Sequence, residues 1–322
     1  MFNVKLLPLT QMNTVKLFPL AAASALLAAN ACAMTYLPGR FSETDKNGKW
    51  STCVWGNNIN FESPDMPGKP GPNDGVIVRG GWNFEIDQDI NVGSLHNCTG
   101  TLMHASKRNI HTKRYFATEI PGWEGDSSTK LEDCNVQNDG AFSLRYWHEA
   151  KNAGRAEVQL IDTKFTNKGD ITAVIPVNPI VTISSRAGFT LTLVGKTQFL
   201  VNGGAVLDSI FEESPTDWMF KWKLEEKDGK LPFAIIAKKA SFVNCPIEIK
   251  VAGSLKPGKY TLVEFADKKS GFKNPNFTLN DKPYTLGETV NVGGKSIKIE
   301  LAPSPTGKDS KTTNDLVLEI LK

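Results

Sequence analysis

The chain has 322 residues, 40% of them hydrophobic, enough to bury a core without metals or covalent staples. A formal charge of +3 carries no excess of the kind that nucleic-acid binding uses, so composition argues against that partner. Past the leader described next, no stretch is long and apolar enough to span a bilayer, which needs about 20 residues.

The leader comes first in chain order. Lys5 and Lys16 precede an uncharged run rich in Ala and Leu, Leu17 to Ala31, with small residues at Ala29, Ala31 and Ala33. A basic start, a short apolar core and an A-x-A exit are the features of a secretory signal peptide. Cleavage is expected after Ala31 or Ala33; a lipid-modified Cys32 ranks below plain secretion. Residues 1–33 hold two lysines and no acid, so Lys+Arg falls from 37 to 35 against 34 Asp+Glu, and the net charge from +3 to +1. The basic balance belongs to the leader. Export also permits disulfides among Cys53, Cys98, Cys134 and Cys245. Their spacing leaves the pairing open and equally allows four buried free thiols.

Residues 34–75 read as loop, interrupted by a strand over 49–55 with Trp50, Thr52 and Val54 on one face and Cys53 and Trp55 on the other. Strands follow at Val76–Val78, Phe84–Ile86 and Val92–Leu95. The polar stretch 104–133 reads as an excursion from the core. From Glu157 to Asp208 short apolar runs alternate with a period of two: Val158–Leu160, Val181–Ile183, Phe189–Leu193 and Ala205–Leu207. That period, with β-branched and aromatic side chains, is what half-buried strands require. Residues 216–237 read as a hairpin about Asp228-Gly229, with a helix as the competing reading. Strands recur at 247–249, 260–265, 277–279, 297–299 and 316–318. An apolar residue and an asparagine recur at Leu95-His96-Asn97, Phe165-Thr166-Asn167, Val201-Asn202 and Phe242-Val243-Asn244, as turns between stacked strands would use.

Two segments carry a resemblance. Asp74-Gly75-Val76-Ile77-Val78 with Val92-Gly93-Ser94-Leu95, and later Leu255-Lys256-Pro257-Gly258-Lys259-Tyr260-Thr261-Leu262, are similar to stretches of bacterial secreted right-handed β-solenoids, among them adhesin and autotransporter passengers and the pectate-lyase-like fold. The resemblance covers about a third of the chain, and no β-barrel translocator or sorting tail accompanies it. It implies an all-β, single-stranded right-handed β-helix; a β-sandwich is the other arrangement that the strand pattern allows. The expected division is a leader over 1–33, a solenoid-like domain over 34–250, and a C-terminal β region over 251–322 of last turns or a small antiparallel module.

For function, exposed aromatic planes can stack on the C–H faces of sugars. Trp123, between Gly122 and Gly125, and Tyr146-Trp147, beside Arg145 and His148, are the candidate carbohydrate-binding residues; Trp218 and Trp222 read as core. His96, His104 and His111 match no ligand spacing and would need a carboxylate such as Glu119 to converge on them, so no metal or other cofactor is expected. The basic run His104, Lys107, Arg108, His111, Lys113 and Arg114 offers contacts to an anionic glycan, or is a face balanced by Glu119, Glu124, Asp126, Glu132 and Asp133. Asp162, Asp170 and Asp208 lie near strands, but no catalytic signature is present and catalytic residues are not assigned. The expected protein is secreted, periplasmic or at the outer cell surface, non-catalytic and adhesin-like, with a glycan or cell-envelope component as partner. A polysaccharide lyase or glycoside hydrolase on a β-helix is the alternative.

Overall fold

The computed structural model describes residues 34–38, 47–56, 68–79, 81, 83–98, 100–120, 126–146, 155–174, 188–208, 220–303 and 314–321, without the side chains of 120, 144–146, 173–174 and 206–208. The leader with its cleavage points and Cys32, and the expected strand at Val181–Ile183, lie outside these residues. Among the described residues there are strands and no helix, and no helix long and apolar enough to cross a membrane.

From Asn109 to Phe265 each strand pairs in parallel with the third strand further along the chain. The first column runs through Asn109–Ile120, Asn135–Asn138, Lys164–Asn167, Gln198–Val201, Phe233–Ile236 and Gly258–Phe265. The second runs through the later half of Asn109–Ile120, then Ala141–Tyr146, Ile171–Val174, Ala205–Asp208, Ala240–Val243 and Gly271–Lys273. The third runs from Asn47–Lys49 through Asn83–Ile86, Leu102–Ser106, Ser127–Glu132, Arg155–Ile161, Gly188–Val194, Phe220–Glu225 and Pro246–Lys250 to Asn276–Leu279. Gly75–Val78 and Ile90–Asn97 extend the first two columns toward the N-terminus. An antiparallel sandwich is therefore not the arrangement of this region.

Register explains why alternating residues are apolar. Ile90, Ile110, Val136, Phe165, Phe199, Ala234 and Val263 are successive partners in the first column, and all are buried. Leu95, Phe116, Phe142, Ile171, Ala205 and Ala240 do the same in the second. Ile86, Ala105, Leu131, Leu160, Leu193, Leu224, Ile249 and Leu279 do so in the third. Each side chain sits over one from the previous level, about 4.8 Å away in the hydrogen-bonding direction. Buried aromatics of the three columns, Phe116, Phe142, Phe165, Phe199, Trp222, Phe242 and Phe265, form an unbroken chain with ring centroids 5.5 to 6.3 Å apart. Truncating one of them to alanine removes about 3–5 kcal/mol.

Side-chain ladders fix the corners. Thr112 Oγ1 donates to Asn138 Oδ1 at 2.7 Å, and Asn138 Nδ2 donates to Asn167 Oδ1 at 2.5 Å and to Ala141 O at 2.8 Å. The recurring asparagines thus divide by role. Asn167 joins this ladder, Asn97 bonds the next level at Ser128 O (2.7 Å), and Asn244 takes a left-handed turn at φ 50°. Asn202 is exposed and one residue out of step, because Val201 is the partner of Asn167. Between the third and first columns Lys107, Asp133, Asp162 and Gly195 all have positive φ, from 49° to 65°. Thr163 and Thr197 follow, each Oγ1 donating to a carbonyl of the preceding level, Leu131 O and Leu160 O, at 3.0 Å.

Three expectations change. Residues 104–133 are one full level of the core, with Ile110, Phe116 and Leu131 buried; its charges face outward because alternate residues do. Residues 216–237 do not make a hairpin. Asp228 and Gly229 do turn with φ of 52° and 70°, but Phe220–Glu225 enters the third column and Phe233–Ile236 the first, each paired with the neighbouring level. Residues 49–55 turn a corner instead of running straight. Trp50 and Trp55 both point inward, 4.7 Å apart, and pack with Phe84. Cys53, Cys98, Cys134 and Cys245 are buried thiols outside any disulfide, and burial pushes the Cys245 thiol well up.

Parallel pairing continues past residue 250 and then changes character. Gly258–Phe265 pairs in parallel with Phe233–Ile236 on one side and antiparallel with Asp315–Ile320 on the other. Lys295–Ala302 and Thr289–Val292 extend that antiparallel edge. Tyr284 locks it, its hydroxyl accepting from Ile299 N at 2.8 Å and donating to Glu288 O at 2.5 Å.

Candidate functional site

Connection lengths differ sharply among the corners. First-to-second connections are 139–140, 168–170 and 202–204, and third-to-first ones are 133–134, 162–163 and 195–197. Second-to-third connections over the same levels are 121–126, 147–154, 175–187 and 209–219. Four consecutive long connections therefore leave and re-enter at one corner.

The sequence candidates fall at this corner. Trp123 and Trp147 belong to the first two long connections and lie outside the described residues, as do His148 and Trp218. Tyr146 ends the strand Ala141–Tyr146, its backbone paired with Ile120 and that of Arg145 with Glu119; the side chains of Arg145 and Tyr146 are outside the described set. Trp222 is fully buried in the core.

Next to that corner, on the outer side of the second column, sits a pair that residue spacing does not reveal. His96 is the partner of Ala117, and Glu119 lies two residues further on the same outward side. His96 Nδ1 and Glu119 Oε1 are 3.1 Å apart, with side-chain exposures of 6% and 1%. The Tyr115 ring meets the imidazole edge-on at 4.4 Å. Ser94, Ala117 and Ser143 on the same side are also buried. His96 Nε2 and Glu119 Oε2 are buried with no hydrogen-bond partner among the described residues, a state that costs about 1–3 kcal/mol per atom. A histidine and a carboxylate at this distance can share a proton, and the two orphaned atoms keep unused hydrogen-bonding capacity.

The other histidines do not converge on this pair. His111 lies on the outer side of the first column, its Nε2 2.7 Å from Asp139 Oδ2. Lys168 and Gln137 also hold Asp139, at 2.7 and 2.8 Å. The Lys168 ammonium, then Gln137 and His111, keep its carboxyl far below the ordinary 3.8. His104 is half-buried on the third column, where burial lowers its pKa. Among the described residues no group of three or more His, Cys, Asp or Glu is placed to hold a metal.

The basic run is wound around one level and so points three ways. Arg114 Nη2 donates to Asn73 O at 2.8 Å, His111 faces out from the first column, and Lys107 and Arg108 sit at the third-to-first corner. The aspartates are corner braces. Asp162 accepts from Lys227 Nζ at 2.6 Å and Lys196 N at 3.0 Å; burial opposes ionisation, yet these bonds hold its pKa below the ordinary value. Asp170 Oδ1 accepts from Gly204 N at 2.8 Å. The side chain of Asp208 is outside the described residues.

Comparison of the chain with family models, with curated proteins and with solved structures found no match. Function is argued from the site alone.

Proposed function

We propose that this is an exported, right-handed β-solenoid that acts by surface binding, with the second-to-third corner meeting a glycan or cell-envelope component. The observation that carries the reading is the succession of four connections of 6 to 13 residues at one corner, while the other corners of the same levels turn in two or three residues except at 226–232. Loops on a rigid scaffold are where binding residues accumulate, and these contain Trp123 and Trp147. The solenoid is supported by parallel pairing of every third strand, and its hand by the near-universal right-handedness of parallel crossovers. Export rests on the leader pattern of residues 1–33.

The test is a glycan array probed with the mature chain. Trp123→Ala and Trp147→Ala should each weaken retention about tenfold, since stacking on an aromatic contributes about 1 kcal/mol or more. Retention unchanged in both variants contradicts the reading. Intact mass of the exported protein, short by residues 1–31 or 1–33, checks export.

One observation favours a second reading, a polysaccharide-active enzyme: the His96–Glu119 pair with two orphaned buried atoms beside the same corner. Reducing-sugar or unsaturated-uronate release from a polysaccharide panel, abolished by Glu119→Gln, would establish it. No release from any polymer that the protein binds would remove it.

A further inference from the structure

The third-to-first corner, across the molecule's section from the long connections in chain order, carries a depression of about 370 Å³ lined by Lys107, Arg108, Lys164, Asp133 and Asp162 with Asn109 and Asn135. The register that builds it is on the page. Asn109, Asn135 and Lys164 are successive partners at the start of the first-column strands, and Lys107, Asp133 and Asp162 are the left-handed corner residues just before them.

The charges in it are unequally engaged. Asp162 is taken by Lys227 at 2.6 Å, and Asp133 by Lys196 at 3.4 Å. Lys107, Arg108 and Lys164 have no carboxylate within salt-bridge distance among the described residues. Arg108 Nε is buried and has no hydrogen-bond partner among the described residues. Arg108 itself is half-buried, and a charged donor left without an acceptor keeps unused bonding capacity, since charged donors make the stronger bonds when met and cost most when not. Cys134 forms part of the lining; burial raises its pKa, so the thiol stays neutral and adds no competing anion.

We infer that this depression binds a tetrahedral oxyanion ester, sulfate or phosphate, carried on a saccharide polymer. Three separated cations around one recess suit an anion with several outward oxygens, and the fork of Arg108 can engage two of them at once. The inference rests on the glycan reading above for its polymer but uses a different corner and different residues, so each can fail alone.

The experiment measures affinity of the mature chain for dextran sulfate, phosphorylated dextran and neutral dextran at fixed ionic strength, with the variant K107Q/R108Q/K164Q and, against loss of fold, the charge-keeping Arg108→Lys. The expected result is binding to dextran sulfate or phosphorylated dextran but not to neutral dextran. The triple variant should lose about tenfold or more at an unchanged melting temperature. Binding to one anionic polymer alone identifies the ester; binding to both assigns the shared chemistry. Lys282→Gln, which removes an exposed charge outside the recess, should leave these affinities unchanged. Equal affinity for neutral dextran, no binding to either anionic polymer, or a triple variant that binds as the parent does overturns the inference.

Discussion

At the corner between the first and second columns, the backbone of one level rests directly on the next. A Cβ on Gly140 would sit 1.5 Å from Arg114 O, one on Gly169 2.5 Å from Gly140 O, and one on Gly203 2.1 Å from Gly169 O. Glycine is required there because only its missing side chain permits that approach. At the corner between the second and third columns the chain instead leaves for 6 to 13 residues and returns to the same register, at Ser127, Ala156, Phe189 and Phe220. One corner is dictated by stacking; the other is free to vary in length and composition, because loop closure costs grow slowly with length. Stability is concentrated at the first and recognition is proposed at the second.

That contrast can be broken most severely at the glycine column. Gly140→Val should cost at least about 4 kcal/mol or prevent folding, since backbone must move to admit the side chain; urea denaturation measures it. Inside the columns, Phe165→Ala should cost about 3–5 kcal/mol by the cavity it leaves among Phe116, Phe142 and Phe199. Asn138→Ala strands the Thr112 hydroxyl and the Asn167 carbonyl and should cost about 2–3 kcal/mol in the same assay.

Smaller effects sharpen the comparison. The Asp139 carboxyl is held below its ordinary 3.8 by Lys168, Gln137 and His111. Its contribution is therefore complete above 3.8 and is lost as pH falls further toward the folded-state value. Asp139→Asn should cost under about 1 kcal/mol at pH 7, because the group is partly exposed; the gap from the parent should close below pH 3.8 in acid denaturation. Smallest of all, shortening the 175–187 connection by half should change stability by less than about 1 kcal/mol, in contrast to any bulky residue at the glycine column.

Most strands were legible in the sequence because each faces a core on one side only, which enforces the period of two in runs such as Phe189–Leu193 and Phe220–Leu224. Partnership was not. Asp228-Gly229 is a genuine tight turn, yet nothing local tells whether the flanking strands pair with each other or with the levels on either side. Trp50 and Trp55 were assigned opposite faces because a corner between them looks like continued alternation. Residues 104–133 looked peripheral because their charges are dense, although every second residue faces inward. At the site, the corner aromatics were legible as residue types. The His96–Glu119 pair was not, since it depends on an irregularity between Val92 and Ser94 that shifts the register against Asn109–Ile120. A straight pairing there would move the partners of His96 by one and turn them to the other face.

Parallel stacking in register is tested most directly by distances along one outer row. Asn91, His111, Gln137, Thr166, Leu200 and Ile235 are successive partners, so spin labels on cysteines placed at Asn91 and Ile235 should lie about 24 Å apart, five strand spacings. Moving the second label to Leu200 should shorten this by about 5 Å. Native Cys53, Cys98, Cys134 and Cys245 are buried and should stay unlabelled, and Cys32 is replaced by serine. Distances that do not grow level by level along the row would contradict the stacked arrangement on which the proposed sites depend.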